Sequence, residues 1–218
     1  GGLFMIILII SFGAALSMFY TKHVEVKMLP LDNKPEFNVF IKMPAGTALL
    51  ETANLTYNLA EKIREIPEVT AMQTYVGTSQ PYDFNGMVRH YYMRQSPWLS
   101  DIHVQLQDKK DRHRSSHQIA IEARQKLKAR LQELKSRAKI AVVEMPPGPP
   151  VLQSIVAEVY GPDDTTRHHV AQDMTKFFGQ AKTIDDVDNY MAEEHEVWRF
   201  QVDSEKAVRR GISVDVIN

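Results

Sequence analysis

Cysteine is absent from the 218 residues. That excludes a disulfide framework, thiolate metal sites and cysteine nucleophiles, and it suits a periplasm as well as a cytosol. Neither sign of charge dominates. The 26 basic and 27 acidic residues leave a formal net charge of -1, so no overall field gathers nucleic acid or an anionic surface. The basic positions Arg124, Lys126, Lys128, Arg130, Lys135 and Arg137 come with Glu122 and Glu133 and without interleaved aromatics, the pattern of a solvated face. There is no phosphate-cradling glycine loop and no Gly-x-Ser-x-Gly elbow. His113 and His117 stand among Arg112 and Arg114, which repel a cation, and the adjacent His168 and His169 diverge by about 100° on a helix. The Glu193, Glu194, His195, Glu196 cluster lacks metal spacing. Asp185, Asp186, Asp188 and Asn189 lack the glycine and terminal glutamate of a calcium loop. With no assembled nucleophile and base, the chain is not expected to be an enzyme, and no cofactor is expected.

One long apolar run opens the chain. Leu3 to Tyr20 carries no charged side chain. As a helix at ~1.5 Å per residue it is about 27 Å long, close to the ~30 Å hydrocarbon core of a bilayer. Nothing basic precedes Leu3, and Ser11 to Ser17 is only a loose small-residue patch, so a membrane helix is expected over a signal peptide. The start at Gly1 without methionine, and the unfinished element at Ile212 to Asn218, lead us to expect a fragment of a longer chain. Residues after Lys22 are then tied to a membrane surface.

Beyond that run two stretches share a strand–helix–strand order. Phe37, Val39, Ile41 and Met43 alternate with Asn38, Phe40 and Lys42, as in a half-buried strand. Pro44-Ala45-Gly46 turns the chain, and Thr47 is placed to cap a helix whose buried stripe is predicted at Leu49, Ala53, Thr56, Ala60 and Ile63. Pro67 stops it, and Val69 to Val76 is the next strand. Ile102, Val104 and Leu106 mark a third strand. Ser115 and Gln118 have capping-box spacing before a helix with Ala120, Ala123, Leu127, Leu131, Leu134 and Ala138 inward. Ile140 to Val143 closes the unit. This β-α-β-β-α-β order predicts an α+β, ferredoxin-like fold.

The second copy follows the stiff joint Met145 to Pro150. Ile155 to Tyr160 is predicted as a strand, with Asp163, Asp164 or Thr165 as the cap of a helix lined by Val170, Met174, Phe177, Phe178 and Ala181. Strands are then expected at Ile184 to Met191 and around Trp198, Phe200 and Val202, with a short helix from Ser204 to Arg210. "IPEVTAMQTYVG" and "AKTIDDVDNYMA" occupy equivalent slots, which suggests duplication of one α/β unit. The expected division is a membrane helix at 1–21, a first unit at 22–149 and half of a second at 150–218, the second half-unit being looser than the first.

A long excursion, Gly77 to Ser100, interrupts the first unit, with a short strand expected at Met87 to Met93. Its Tyr82, Phe84, Met87, Tyr91, Tyr92 and Trp98 place large, adaptable apolar surface on a glycine-flexible loop. Those rings either bind apolar ligands or pack against the sheet or another chain.

The segments "VKMLPLDNKPEFNVFIKMPAGT", "DFNGMVRHYYMR", "HQIAIEAR", "VVEMPPGPPV", "VAEVYGP" and "FQVDSEKAVRRGIS" resemble inner-membrane efflux permeases of the resistance–nodulation–division (RND) superfamily, AcrB type. The resemblance implies a bacterial inner-membrane location, with residues after about 21 in the periplasm as porter subdomains. It also implies a homotrimer driven by proton influx and in contact with membrane lipid, with a periplasmic adaptor protein and an outer-membrane channel as partners, and no nucleic acid. The implied cargo is hydrophobic or amphiphilic, moved by alternating access about the Pro146–Pro150 joint. A loop bearing glycine and phenylalanine separates the family's access and deep pockets, and the excursion occupies that slot. Tyr82, Phe84, Asn85, Gly86, Met87 and Tyr75 are thereby candidate substrate contacts. Leu3 to Tyr20 has no ionisable group that could couple protons. Two alternatives stay open: a heavy-metal exporter, which needs methionines such as Met72, Met87 and Met93 to converge, and a single-span extracytoplasmic sensor.

Overall fold

The computed structural model describes residues 1–21, 33–81, 84–145, 155–184, 186–191 and 193–217. The Pro146–Pro150 joint and Tyr82 lie outside them. The apolar run forms helix α1 (Gly2–Tyr20), which buries none of its residues and is long and apolar enough to cross a membrane. Ser17 Oγ donates to the Ala14 carbonyl at 2.7 Å, and Thr21 Oγ1, just past the helix end, to the Ser17 carbonyl at 2.9 Å, the kind of internal bond that hydrocarbon tolerates.

The first unit runs β1 (Glu36–Lys42), α2 (Leu49–Arg64), β2 (Val69–Val76), α3 (Phe84–Val88), β3 (Leu99–Leu106), α4 (Ser116–Glu133) and β4 (Lys139–Glu144). The sheet order is β2-β3-β1-β4 and every neighbouring pair is antiparallel, the split pattern expected of this order of elements. Register sets the faces. Val39 stands between Ile102 and Val142, all buried, and Met72 pairs with Val104 on the same side. Leu55, Leu59 and Ile63 of α2, with Ile119, Ala123 and Leu127 of α4, cover that side. The core is therefore a two-layer sandwich of one sheet face and two helices.

Details of the sequence pattern shift in the fold. The buried stripe of α2 is Thr52, Leu55, Thr56, Leu59, Ala60 and Ile63, while Leu49 is half exposed. Thr47 does not cap α2. Its hydroxyl donates to the Pro44 carbonyl at 2.6 Å, closing the turn in which Gly46 sits at φ +85°, and Ala48 takes the cap position. Thr56 Oγ1 lies 2.6 Å from Ser100 Oγ, a buried polar pair joining α2 to β3. At α4 the capping box forms as expected: the Gln118 N–H donates to Ser115 Oγ and the Ser115 N–H to Gln118 Oε1. That helix ends at Glu133, so Leu134 lies in its cap and is exposed rather than inward.

In the second stretch, helices α5 (Asp164–Gln180), α6 (Ser204–Arg209) and α7 (Val214–Ile217) form, with Asp163 Oδ1 accepting the Thr166 N–H as the α5 cap. The strands expected at Ile155 to Tyr160, Ile184 to Met191 and Trp198 to Val202 do not form among the described residues. A strand exists only by pairing, and these segments meet no neighbouring ladder there. Phe200 is 97% and Trp198 81% exposed, and α5 buries none of its residues.

Candidate functional site

The sheet face away from α2 and α4 carries the excursion. Asn38, Phe40 and Lys42 of β1 stand there opposite His103, Asp101 and Leu99 of β3, with Tyr75 of β2 paired to Asp101 from the other side. Solvent would claim this face in a bare ferredoxin-like unit. Here Phe40 and Asp101 are buried, because the returning limb of the excursion lies on them. The Tyr91 ring packs on Phe40 at 4.1 Å between centroids, and the Arg94 guanidinium sits 5.1 Å from the same ring.

Asp101 is the electrostatic centre of the contact. Its carboxylate is wholly enclosed; Oδ1 accepts from Arg94 Nε at 2.9 Å and Oδ2 from the Gln80 N–H at 3.2 Å. Arg94 Nη2 also donates to the carbonyls of Ile41, at 3.0 Å, and Ser100, at 3.5 Å. Burial pushes the Asp101 carboxyl above the usual range, and Arg94 only partly offsets it. Gly77, at φ +72°, turns the outgoing limb, and its N–H donates to the Leu99 carbonyl at 2.8 Å.

From Phe84 to Met93 the chain is helical or turned. A short α3 is followed by a 3₁₀ turn at Tyr91–Met93, so the strand expected at Met87 to Met93 is absent. His90 adopts a left-handed φ of +56°, and local bonds from the N–H groups of His90, Met93 and Arg94 to carbonyls three residues back consume groups a strand would offer a neighbour. Gly86 and Arg89 are buried, and Arg89 Nη1 donates to the Tyr91 hydroxyl at 3.2 Å. Met87 is 44% and Met93 69% exposed, with Tyr92 beside them.

The candidate contacts divide accordingly. Tyr75 is half-buried on the open face beside Asp101, and its hydroxyl donates to Gln73 Oε1 at 2.8 Å. Gly86 and Met87 belong to α3, as do the backbones of Phe84 and Asn85, whose side chains lie outside the description. The methionines do not converge. Met72 packs against the core on the helix-covered face, whereas Met87 and Met93 lie on the excursion over the opposite face. Trp98, counted among the excursion's loop aromatics, packs against the core and stacks edge-on with His195 at 4.8 Å. Phe40, Arg94 and Asp101 were invisible as site residues because outward positions of a half-buried strand, and an arginine in a loop, look the same whether water or a loop covers them.

A further seam runs along β4. Arg124 Nη2 pairs with Asp186 Oδ2 at 2.6 Å, and that oxygen also accepts the Val142 N–H at 3.3 Å. Lys42 Nζ reaches Asp188 at 3.4 Å and Glu193 at 3.2 Å. Burial pushes the Glu193 carboxyl up, but the Lys42 charge and hydrogen bond, the Ala45 backbone bond and the Lys139 charge together outweigh it and the net shift is downward. Asp186 and Asp188, two of the residues that superficially suggest a calcium loop, thus fasten the second stretch to the first unit.

A protein-family model, that of the AcrB/AcrD/AcrF family, matches residues 2–218. The chain belongs to this family of RND efflux transporters. Two X-ray crystal structures of a heavy metal efflux pump share its fold. Crystal form II aligns at TM-score 0.57 and 20% identity over 96% of this chain and 21% of the pump; crystal form I aligns at 0.57 and 20% over 94% and 22%. The chain therefore spans about a fifth of the pumps it resembles. No curated protein matches it. The family is one of inner-membrane transporters, with which α1 is consistent, and the match sets the single-span sensor aside.

Proposed function

We propose that this chain is the membrane-anchored porter portion of a proton-driven RND exporter of hydrophobic or amphiphilic compounds. In this proposal residues 22–149 and 150–218 are two porter subdomains on the periplasmic side, working in a homotrimer with an adaptor protein and an outer-membrane channel. The excursion is the substrate-facing element. The observation that carries this is the placement of a short helical lobe over the open sheet face, with Met87, Tyr92 and Met93 turned outward. Polarisable thioether and aromatic surface suits varied apolar cargo better than one fixed ligand. The lobe swings with the cleft between subdomains as access alternates.

A second reading, export of heavy metals, draws support from the crystal structures of a heavy metal efflux pump. Separation of Met72 from Met87 and Met93 by the sheet counts against a three-methionine site. Export assays on the full transporter decide between them. Phe84→Ala and Tyr92→Ala are expected to reduce efflux of a lipophilic cationic dye several-fold and to leave tolerance of copper, silver and zinc salts unchanged. Loss of metal tolerance in Met87→Ala and Met93→Ala, with dye efflux intact, would establish the metal reading instead.

A further inference from the structure

We propose that Asp101 is a positioning residue, a buried carboxylate that binds both limbs of the excursion and makes residues 84–93 a single tethered lobe. Its two oxygens serve different limbs. Oδ2 accepts from the Gln80 N–H of the outgoing limb, and Oδ1 accepts from Arg94 of the returning limb. The carboxylate is completely enclosed, in the middle of β3, on the face a ferredoxin-like unit ordinarily shows to water. A carboxylate loses its hydration at such a place and is retained only where fixed donors replace the water. Arg94 makes the tether rigid: its planar fork is shared among Asp101, the Ile41 carbonyl and the Ser100 carbonyl, and its guanidinium carbon lies over the Phe40 ring. Lysine offers one point charge and could not reproduce that set. Both neighbours of Asp101 on the open face, Phe40 and Tyr75, are aromatic. Without the carboxylate the outgoing limb keeps the 2.8 Å Gly77–Leu99 backbone bond, and the returning limb keeps the Tyr91–Phe40 contact, the Arg94 bonds to the Ile41 and Ser100 carbonyls and the 2.8 Å bond from the Met43 N–H to the Trp98 carbonyl.

The consequence for transport rests on the lobe being the substrate-facing element proposed above. A lobe fixed at two adjacent points on one strand moves as a body, so cargo meets a preformed surface. Hydrogen exchange by mass spectrometry on the full transporter tests the tether without reference to cargo. In Asp101→Asn and in Arg94→Lys, amides of 84–93 should exchange at least tenfold faster, while α2 and α4 stay within twofold of the parent. The double variant should lose no more than the worse single variant, since both changes act through one contact. If Asp101→Asn fails to accumulate, Arg94→Lys carries the test alone. Unchanged exchange at 84–93, or equal acceleration throughout β1 to β4, overturns the proposal. Dye export measured on the same variants separates the two claims. A rise in the half-saturating concentration alongside the exchange change supports both. An exchange change with unaltered export leaves the tether standing and removes the lobe from the substrate path.

Discussion

Single residues carry much of the fold's electrostatic asymmetry. Arg114 donates to Glu68 at 2.6 and 2.5 Å and also pairs with Glu122, and these bonds hold both carboxyls below the usual range. A carboxyl lowered in the folded state contributes stability that is present above its unfolded value, ~4.3, and lost as pH falls through the folded one. Asp101 has the opposite sign: raised by burial, it costs stability above its folded pKa and that cost disappears on acidification. Arg114→Gln should therefore lower the melting temperature of residues 33–145 at pH 7, with the difference closing toward pH 3; a deficit independent of pH would contradict the assignment. Gly77 is a second such point. At φ +72°, and with an added Cβ only 2.5 Å from Leu49 Cδ1, alanine meets both backbone strain and a side chain that must move. Gly77→Ala should cost about 1–2 kcal/mol in urea unfolding. Neither effect was visible in the sequence, where Glu68 and Arg114 lie far apart and Gly77 is one glycine among several.

At the scale of elements, the sequence and the structure agree wherever local chemistry decides and part where tertiary contacts decide. The Ser115–Gln118 box needs only its own four residues, so its spacing was enough to find it. Ser115→Ala should cost ~1 kcal/mol of stability, measured by the same denaturation. Leu59→Ala, at the centre of the α2 stripe and fully buried, should cost about 2–5 kcal/mol. The inward face of α2 was misjudged by part of a turn. Leu49 looked inward by spacing, but Thr52 and Thr56 take inner positions, where Thr52 Oγ1 donates to the Ala48 carbonyl and Thr56 Oγ1 meets the Ser100 hydroxyl. The excursion was legible as an insertion rich in rings but not as a helical lobe. A short strand was expected at Met87 to Met93, whereas local bonds three residues apart make a helix and a 3₁₀ turn there and His90, at φ +56°, bends the chain.

For the whole molecule, the contrast lies between a unit that closes on itself and a stretch that does not. Among the described residues the hydrophobic core cluster falls between Phe37 and Val142, so residues 33–145 are expected to fold when expressed alone. Helix α5 has no buried residue, and the apolar Trp198 and Phe200 face outward. Amide exchange in α5 should be much faster than in α4 for residues 1–218 produced alone, and equal protection would refute this. The pattern suggested a second copy, but its expected strands do not form among the described residues, because strand formation depends on neighbours that a periodicity does not show. Function is written at this scale too, in where the lobe lies relative to membrane and cargo. The absence of cysteine from these residues makes a direct measurement clean. With any cysteine elsewhere in the full transporter replaced, Met87→Cys can be labelled by a membrane-impermeant maleimide in intact spheroplasts, with and without a saturating exported dye. A substrate-facing periplasmic lobe requires rapid labelling that the dye slows several-fold; labelling only after the membrane is opened, or at a rate the dye does not alter, would contradict it.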